Sequence, residues 1–223
     1  MRNPTPKRVV FLCGPGASGK GTILKELKAE LGDQVMLFPS TNRAAADQAG
    51  FNSEKEMLSL TPRDHTKVQV GIYRFYREAL SKALTDFRKS TAEILVTERS
   101  PVDYLAYIDM IRDHGSLTAA ELLAYGIQNY KEIHQRNFDT FTVMLPWPVP
   151  WSGSAQTQDG FRHVDSSKET ALHLSGLNFA SILARTPHWI HFGYMDAETL
   201  SVDARISWLC KSLGIALPLK PEL

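Results

Sequence analysis

The sequence predicts an α/β fold: a three-layer arrangement of a parallel five-stranded sheet with helices on both faces and a lid loop. Three observations carry the prediction. Five short apolar, β-rich runs alternate with segments of helical spacing, the order expected of a parallel sheet joined by crossovers. Four helical segments open on a Ser or Thr with an acid at the third helical position. The first apolar run passes directly into a glycine-rich loop that opens a helix.

Taken in order, "KRVVFLC" reads as a buried first strand bounded by glycine. "GKGTILKELKAELG" places Ile23, Leu24, Leu27 and Leu31 on one helical face and stops at Gly32. "QVMLF" is a second strand, and "STNRAAADQAGF" a loop leading into a short helix. "TPRD" at 61–64 and "SPVD" at 100–103 combine a hydroxyl cap, proline in the first helical position and an acid at the third. "TAAE" at 118–121 and "SSKE" at 166–169 are capping boxes. Helices are therefore expected near 63–89, 101–114, 118–136 and 167–186, with a last one near 198–213. Strands fall between them at "EILVTE" (93–98), "TFTVML" (140–145) and "HWIHFGY" (188–194). Residues 1–223 read as a single domain, with a lid insertion at about 146–166.

The bulk properties narrow the function classes. A chain of 223 residues can bury a real core. Its formal net charge of +1 gives no global pull toward nucleic acid or an anionic membrane. The two cysteines, Cys13 and Cys210, fall in a strand and a helix and read as buried thiols. No apolar run approaches the roughly 20 residues of a membrane span. The apolar run near the N-terminus continues into the glycine-rich loop, so it reads as a strand and not as a signal peptide. A cytoplasmic location is expected; the oligomeric state is not legible.

"GPGASGKGT" (14–22) carries the first chemistry. Gly14, Gly19 and Lys20 fit the phosphate-loop spacing; Gly21 stands where Ser or Thr is usual, and the hydroxyl comes one place late at Thr22. Backbone N–H groups at a helix start favour phosphate oxygens. Glycines at 14, 16 and 19 let the backbone approach without a Cβ in the way. The expected nucleotide-binding set is Gly14, Gly16, Ala17, Ser18, Gly19, Lys20, Gly21 and Thr22, with Lys20 the point charge for the β- and γ-phosphates. "GKGT" resembles the loop of adenylate-kinase-type nucleotide kinases, with the proline–glycine pair one residue earlier here. That resemblance implies that Thr22 touches the α-phosphate.

"ILVTERSPVDYLAY" carries the second. A carboxylate at the C-terminal end of an apolar strand sits where α/β sheets handle ligands. Glu98 could organise Mg²⁺ or take the acceptor's proton, and Arg99 could hold the acceptor or the moving phosphoryl group. "ERS" resembles the Glu-Arg-Ser motif of deoxynucleoside kinases. "ERSPVDYLAY" is similar to a segment of the ribosylnicotinamide kinase domain of a bacterial NAD regulator, which often has Asp in place of Glu98. The resemblance implies a P-loop kinase fold, ATP and Mg²⁺ as cofactors, and Glu98 as the residue that serves the metal.

The long irregular stretch at 146–165 reads as a lid. Val149, Pro150 and Trp151, then Asp159, Gly160 and Arg162, resemble the lid of that same kinase family, with a longer spacing between the halves. On a closing loop Arg162 could neutralise charge on the γ-phosphoryl group. His163 and Lys168 are weaker candidates. Trp147 and Trp151 either pack the loop base or offer a stacking surface to an acceptor base.

On the acceptor side, Arg43 is the main candidate, with Ser40, Thr41 and Asn42 as hydrogen-bonding groups. Asp103 is a second base candidate or a helix cap. Arg63, Lys67, Arg74, Arg77 and Lys82 form either a solvated face or a groove for a phosphate-bearing acceptor, and Asp64 and His65 lie near its start. Met195 and Asp196 fall where such kinases often place adenine. The expected set is thus catalytic Lys20, Glu98, Arg99 and Arg162, with Arg43, Asn42, Asp103 and Trp151 for the acceptor. The expected activity is ATP-dependent transfer of a phosphoryl group to a hydroxyl, or a phosphate, of a nucleoside- or nucleotide-like acceptor. Two alternatives stay open: a kinase of hydroxymethyl-pyrimidine bases in phage-type DNA, and a regulatory ATPase switch without a small-molecule acceptor.

Overall fold

The computed structural model describes residues 7–15, 18–111, 118–145, 166–185, 190–195 and 201–215. Its centre is β1 (Arg8–Cys13), whose side chains alternate between two apolar layers. Val9, Phe11 and Cys13 enter one cluster; Val10 and Leu12 enter the other. A strand buried on both sides must be apolar throughout, which is why "VVFLC" shows no polar alternation. Parallel pairing joins β1 to β3 (Ile94–Thr97) on one side and β4 (Asp139–Met144) on the other. β2 (Val35–Phe38) flanks β3 and β5 (Ile190–Tyr194) flanks β4, giving a five-stranded sheet in the order β2-β3-β1-β4-β5.

One face is covered by α1 (Lys20–Leu31) and α8 (Val202–Leu213). Ile23, Leu24 and Leu27 of the first meet Ile206, Leu209 and Cys210 of the second in one cluster. The other face carries α4 (Pro62–Lys89), α5 (Pro101–Ile111), α6 (Ala119–His134) and α7 (Ser166–Leu183), with the shorter α2 (Asn42–Gln48) and α3 (Glu54–Leu58) packed beside α4. Both cysteines are buried free thiols, as their strand and helix positions implied. Helices α5 and α6 approach closely because residue 126 is glycine: a Cβ there would lie 2.7 Å from Leu105 Cδ1.

The capping patterns set the helix starts. Thr61 accepts the Asp64 N–H at 3.2 Å ahead of Pro62. Thr118 and Glu121 exchange both bonds of a capping box, at 3.2 and 2.7 Å. Ser100 and Asp103 do the same, with Asp103 Oδ2 accepting the Ser100 N–H at 2.9 Å. The structure adds α3, which Ser53 caps by accepting from Glu56. At five residues it is too short for helical periodicity to show. It also ends α6 at His134, where a turn with Asn137 at φ 57 leads into β4. No described helix is long and apolar enough to cross a membrane.

Candidate active site

The phosphate-loop candidates lie where β1 gives way to α1, at the C-terminal edge of the sheet. Gly14 sits at φ 139, which a side chain rarely tolerates, and a Cβ there would lie 3.3 Å from Leu145 Cβ. Gly19, at φ 85, is the residue before the first helical turn. Lys20 is buried, and its Nζ donates to Gly14 O at 2.8 Å, Pro15 O at 2.6 Å and Ser18 Oγ at 3.0 Å. The ammonium therefore lies across the loop that its own backbone forms. Gly21 is half-buried in the first turn of α1 and Thr22 is exposed. Gly16 and Ala17 lie outside the described residues.

Glu98 follows β3 directly. Its N–H donates to Phe38 O at 3.0 Å, which keeps it beside the end of β2. Its Oε2 accepts the Ser40 N–H at 3.0 Å. Its Oε1 lies 3.8 Å from the place a Cβ would take on Gly21. One carboxylate thus touches the acceptor-side loop with one oxygen and faces the start of α1 with the other. Among the described residues Oε1 takes no hydrogen bond.

Arg99 is buried, with Nη1 3.4 Å from Gly14 O and 3.5 Å from Asp103 Oδ1. Burial works against its charge, but the carboxylate of Asp103, then Tyr107, Tyr104 and Glu98, outweigh it and hold its pKa above the ordinary arginine value. Its Nε has no hydrogen-bond partner among the described residues. Asp103 Oδ1 also accepts the Gly14 N–H at 2.9 Å, while Oδ2 takes Ser100 N–H at 2.9 Å and Ser100 Oγ at 3.1 Å. A carboxylate has about four acceptor sites, and these donors take up most of those of Asp103. The structure places it as the link between α5 and the glycine-rich loop. Beneath it, the buried Cys13 thiol bonds Ser100 Oγ, and burial followed by the Asp103 charge pushes its pKa well up.

On the acceptor side, Asn42 opens α2 and its Oδ1 accepts from Tyr104 OH at 2.6 Å. Tyr104 stacks on Tyr76 at a centroid distance of 4.3 Å, and Tyr76 OH donates to Arg99 O at 3.3 Å. Tyr107 OH donates to the buried Glu54 at 3.1 Å. Asn42 and the Arg99 carbonyl are therefore joined through one polar and aromatic wall, whereas Arg43 is exposed on α2. The basic face of α4 is partly neutralised: Lys67 pairs with Asp64 at 2.9 Å and Arg77 with Glu132 at 2.8 Å. Met195 is buried, with its N–H donating to Met144 O at 3.0 Å. Trp147, Trp151, Asp159, Gly160, Arg162, His163 and Asp196 lie outside the described residues, as does the Lys168 side chain.

Two residues beside the candidate site were not foreseen. Arg205 of α8 is buried and its Nη1 donates to Ser18 O at 2.6 Å. A cation beside Ile206 and one turn from Leu209, on the core-facing side of an amphipathic helix, is the signal that could have found it. His173 of α7 is half-buried; burial, then the Lys20 charge, lower its pKa against the opposing pull of Asp103. Nothing in its local sequence marks it.

No protein-family model matches the chain, and no protein of curated function matches its sequence. Among solved structures, deoxyadenosine kinase from M. mycoides with dCMP and dCDP bound is similar to it at 17% identity and TM-score 0.61, over 92% of this chain and 98% of that one. The same enzyme with bound dATP gives 19% identity and TM-score 0.56 over 93% and 99%. The NadR protein in complex with NAD and AMP-PNP gives 13% identity and TM-score 0.59 over 97% of this chain and 52% of that one. These likenesses establish a fold shared with P-loop kinases.

Proposed function

We propose that this chain is an ATP-dependent phosphotransferase that moves the γ-phosphoryl group to a hydroxyl, or a phosphate, of a nucleoside- or nucleotide-like acceptor. The observation that carries this is the position of Glu98, between the first turn of α1 and the acceptor-side loop at Ser40. A carboxylate in that place reaches both partners of an in-line transfer. The deoxynucleotides and AMP-PNP held by the similar structures support a nucleotide donor and a nucleoside-like acceptor.

In the transfer, the bond from the γ-phosphorus to the β–γ bridging oxygen breaks and a bond from the acceptor oxygen forms. Lys20 and the amides at the start of α1 bind the phosphate chain and offset its charge. The acceptor proton passes to Glu98 or to solvent. Arg99, Asp103 and the Ser100 cap hold the loop's first residue, so that the backbone donors keep their direction. Asn42, held in place by the buried Tyr104 hydroxyl, is the group offered to the acceptor. Arg162 is the lid group proposed to stabilise charge on the moving phosphoryl.

Mg²⁺ fits this donor set. Among the described residues no group of three or more His, Cys, Asp or Glu side chains could hold a metal ion. A single carboxylate, completed by phosphate oxygens and water, is the usual protein share for Mg²⁺ in kinases. Glu98 is the residue that would hold it, and the ion would supply charge neutralisation across the β- and γ-phosphates.

The test is ADP release measured against a panel of nucleosides, nucleoside monophosphates, ribosylnicotinamide and DNA containing hydroxymethyl-pyrimidines. Release stimulated by a nucleoside-like acceptor, with the phosphorylated product detected, is the expected result. Hydrolysis indifferent to every acceptor would sink the kinase reading in favour of an ATPase switch.

A further inference from the structure

The two ends of the phosphate loop are gripped by buried charges of opposite sign from opposite layers of the fold. Asp103, on α5, takes the N–H of Gly14 at 2.9 Å. Arg205, on α8, gives an N–H to the carbonyl of Ser18 at 2.6 Å. The second contact has a consequence for phosphate binding, because the Ser18 carbonyl and the Gly19 N–H belong to one planar trans peptide. In such a unit the oxygen and the hydrogen point in opposite directions. Anchoring the oxygen toward α8 therefore aims the Gly19 N–H away from α8.

Gly19 is suited to that arrangement in two ways. Its carbonyl accepts the Ile23 N–H at 2.9 Å, so it enters the first helical turn by its oxygen while its own N–H belongs to the loop. Its φ of 85 favours glycine, and a Cβ there would lie 3.1 Å from Arg205 Nη1, so any larger residue would also crowd the guanidinium. Arg205 is 7% exposed, and a cation hydrogen-bonded to a peptide oxygen in a dry setting also polarises that peptide, strengthening its N–H as a donor.

We propose that Arg205 is a positioning residue for nucleotide binding: it orients and polarises the Ser18–Gly19 peptide so that the Gly19 N–H is a preformed donor to the phosphate chain. The assignment rests on the nucleotide-binding reading given above. It assigns α8, whose sequence carries no phosphate motif, a direct part in shaping the loop.

Amide ¹H–¹⁵N spectra and calorimetric ATP titrations of the full chain test it, with thermal melts to verify folding. In the wild type, ATP moves the Gly19 amide proton downfield. In Arg205→Met the Gly19 response is mostly lost and ATP binding weakens about tenfold, the scale of one charge-assisted hydrogen bond. The KM for the acceptor stays within about twofold. Arg205→Lys, which keeps a charge and a donor but not the fork, falls between the two in both readouts. A methionine variant that binds ATP as the wild type does, or that binds weakly with the Gly19 response intact, overturns the assignment. Should the methionine variant fail to fold, a lysine variant indistinguishable from wild type overturns it instead. A wild-type chain that binds no ATP at all overturns the nucleotide reading itself, which is a separate result.

Discussion

The Glu98 carboxylate faces Gly21: its Oε1 lies 3.8 Å from the position a Cβ would occupy on that glycine, while its Oε2 holds the Ser40 N–H at 3.0 Å. Residue 21 is where a phosphate loop usually carries the hydroxyl that serves the metal. Here the carboxylate of Glu98, just after β3, faces the same position.

Glu98→Gln keeps the size of the side chain and removes its charge. The rate of acceptor phosphorylation is expected to fall about 10²- to 10⁴-fold, the range for losing a positioned acid–base or charge-organising group. ATP affinity should change by less than about threefold, because the proposed function assigns phosphate binding to the loop amides and Lys20 and not to Glu98. Steady-state kinetics beside calorimetric ATP titration separates the two. A rate that survives the change removes Glu98 from the chemistry.

Gly21→Ser tests the same relationship from the helix side. A Cβ fits at ordinary contact distance, so thermal stability should hold or rise slightly, serine being the better helix former. The new hydroxyl can donate to Glu98 Oε1 and compete for it, and kcat is expected to fall about tenfold, the scale of one charge-assisted hydrogen bond. An increase in kcat would mean that the hydroxyl serves the metal at this position and that the carboxylate does not replace it.

Asp103→Ala leaves Arg99 buried without its carboxylate and Gly14 N–H without its acceptor. Breaking one side of a buried pair typically costs about 3–5 kcal/mol, and urea denaturation should show a loss of that order. If Asp103 acted chiefly as a base, the variant would instead melt near the wild type and lose only rate.

Protonation of His173 should weaken the fold. Burial, followed by the Lys20 charge, lowers its pKa from 6.5, so the unfolded chain binds the proton more readily than the folded one. Its contribution is intact above the unfolded value and is lost as pH falls from there through the folded value. Thermal melts between about pH 7.5 and 5 should show a shallower decline in His173→Gln than in the wild type. Parallel curves would show that the site does not sense the imidazole.

Gly126→Ala sets two effects against each other. Alanine gains about 1 kcal/mol of helix propensity, but its methyl would meet Leu105 Cδ1 at 2.7 Å, and overpacking a core typically costs about 1–3 kcal/mol. The variant is expected to be destabilised, and adding Leu105→Ala should cost less than Leu105→Ala costs alone. Additive losses in the double mutant would show that the two sites do not share space.

Much of the molecule was legible because its signals are local. Ser100 and Asp103 cap a helix within four residues of each other, and the alternation in β1 is visible in the strand itself. The phosphate loop is contiguous, and Glu98 is placed by ending an apolar run. Where reading stopped, the chain offered no periodicity, as in the five residues of α3, or no local reason for a charge, as at His173. Arg99 illustrates the boundary. Its residue type and place at the strand end were apparent, but its guanidinium lies between Gly14 O and Asp103, not on a surface facing the acceptor alone.

By itself, then, the sequence determined the strands, the longer helices and their order, since caps, glycines at positive φ and apolar periods act over three or four residues of chain. Only the tertiary structure decided the partners. Asp103 meets Gly14 across 89 residues, and Arg205 meets Ser18 across 187. A buried charge must find a counterpart, and the packing of two layers on one sheet selects which distant backbone group supplies it. That choice set the Asp103 carboxylate against the Gly14 N–H and brought the unremarked α8 arginine to the Ser18 carbonyl.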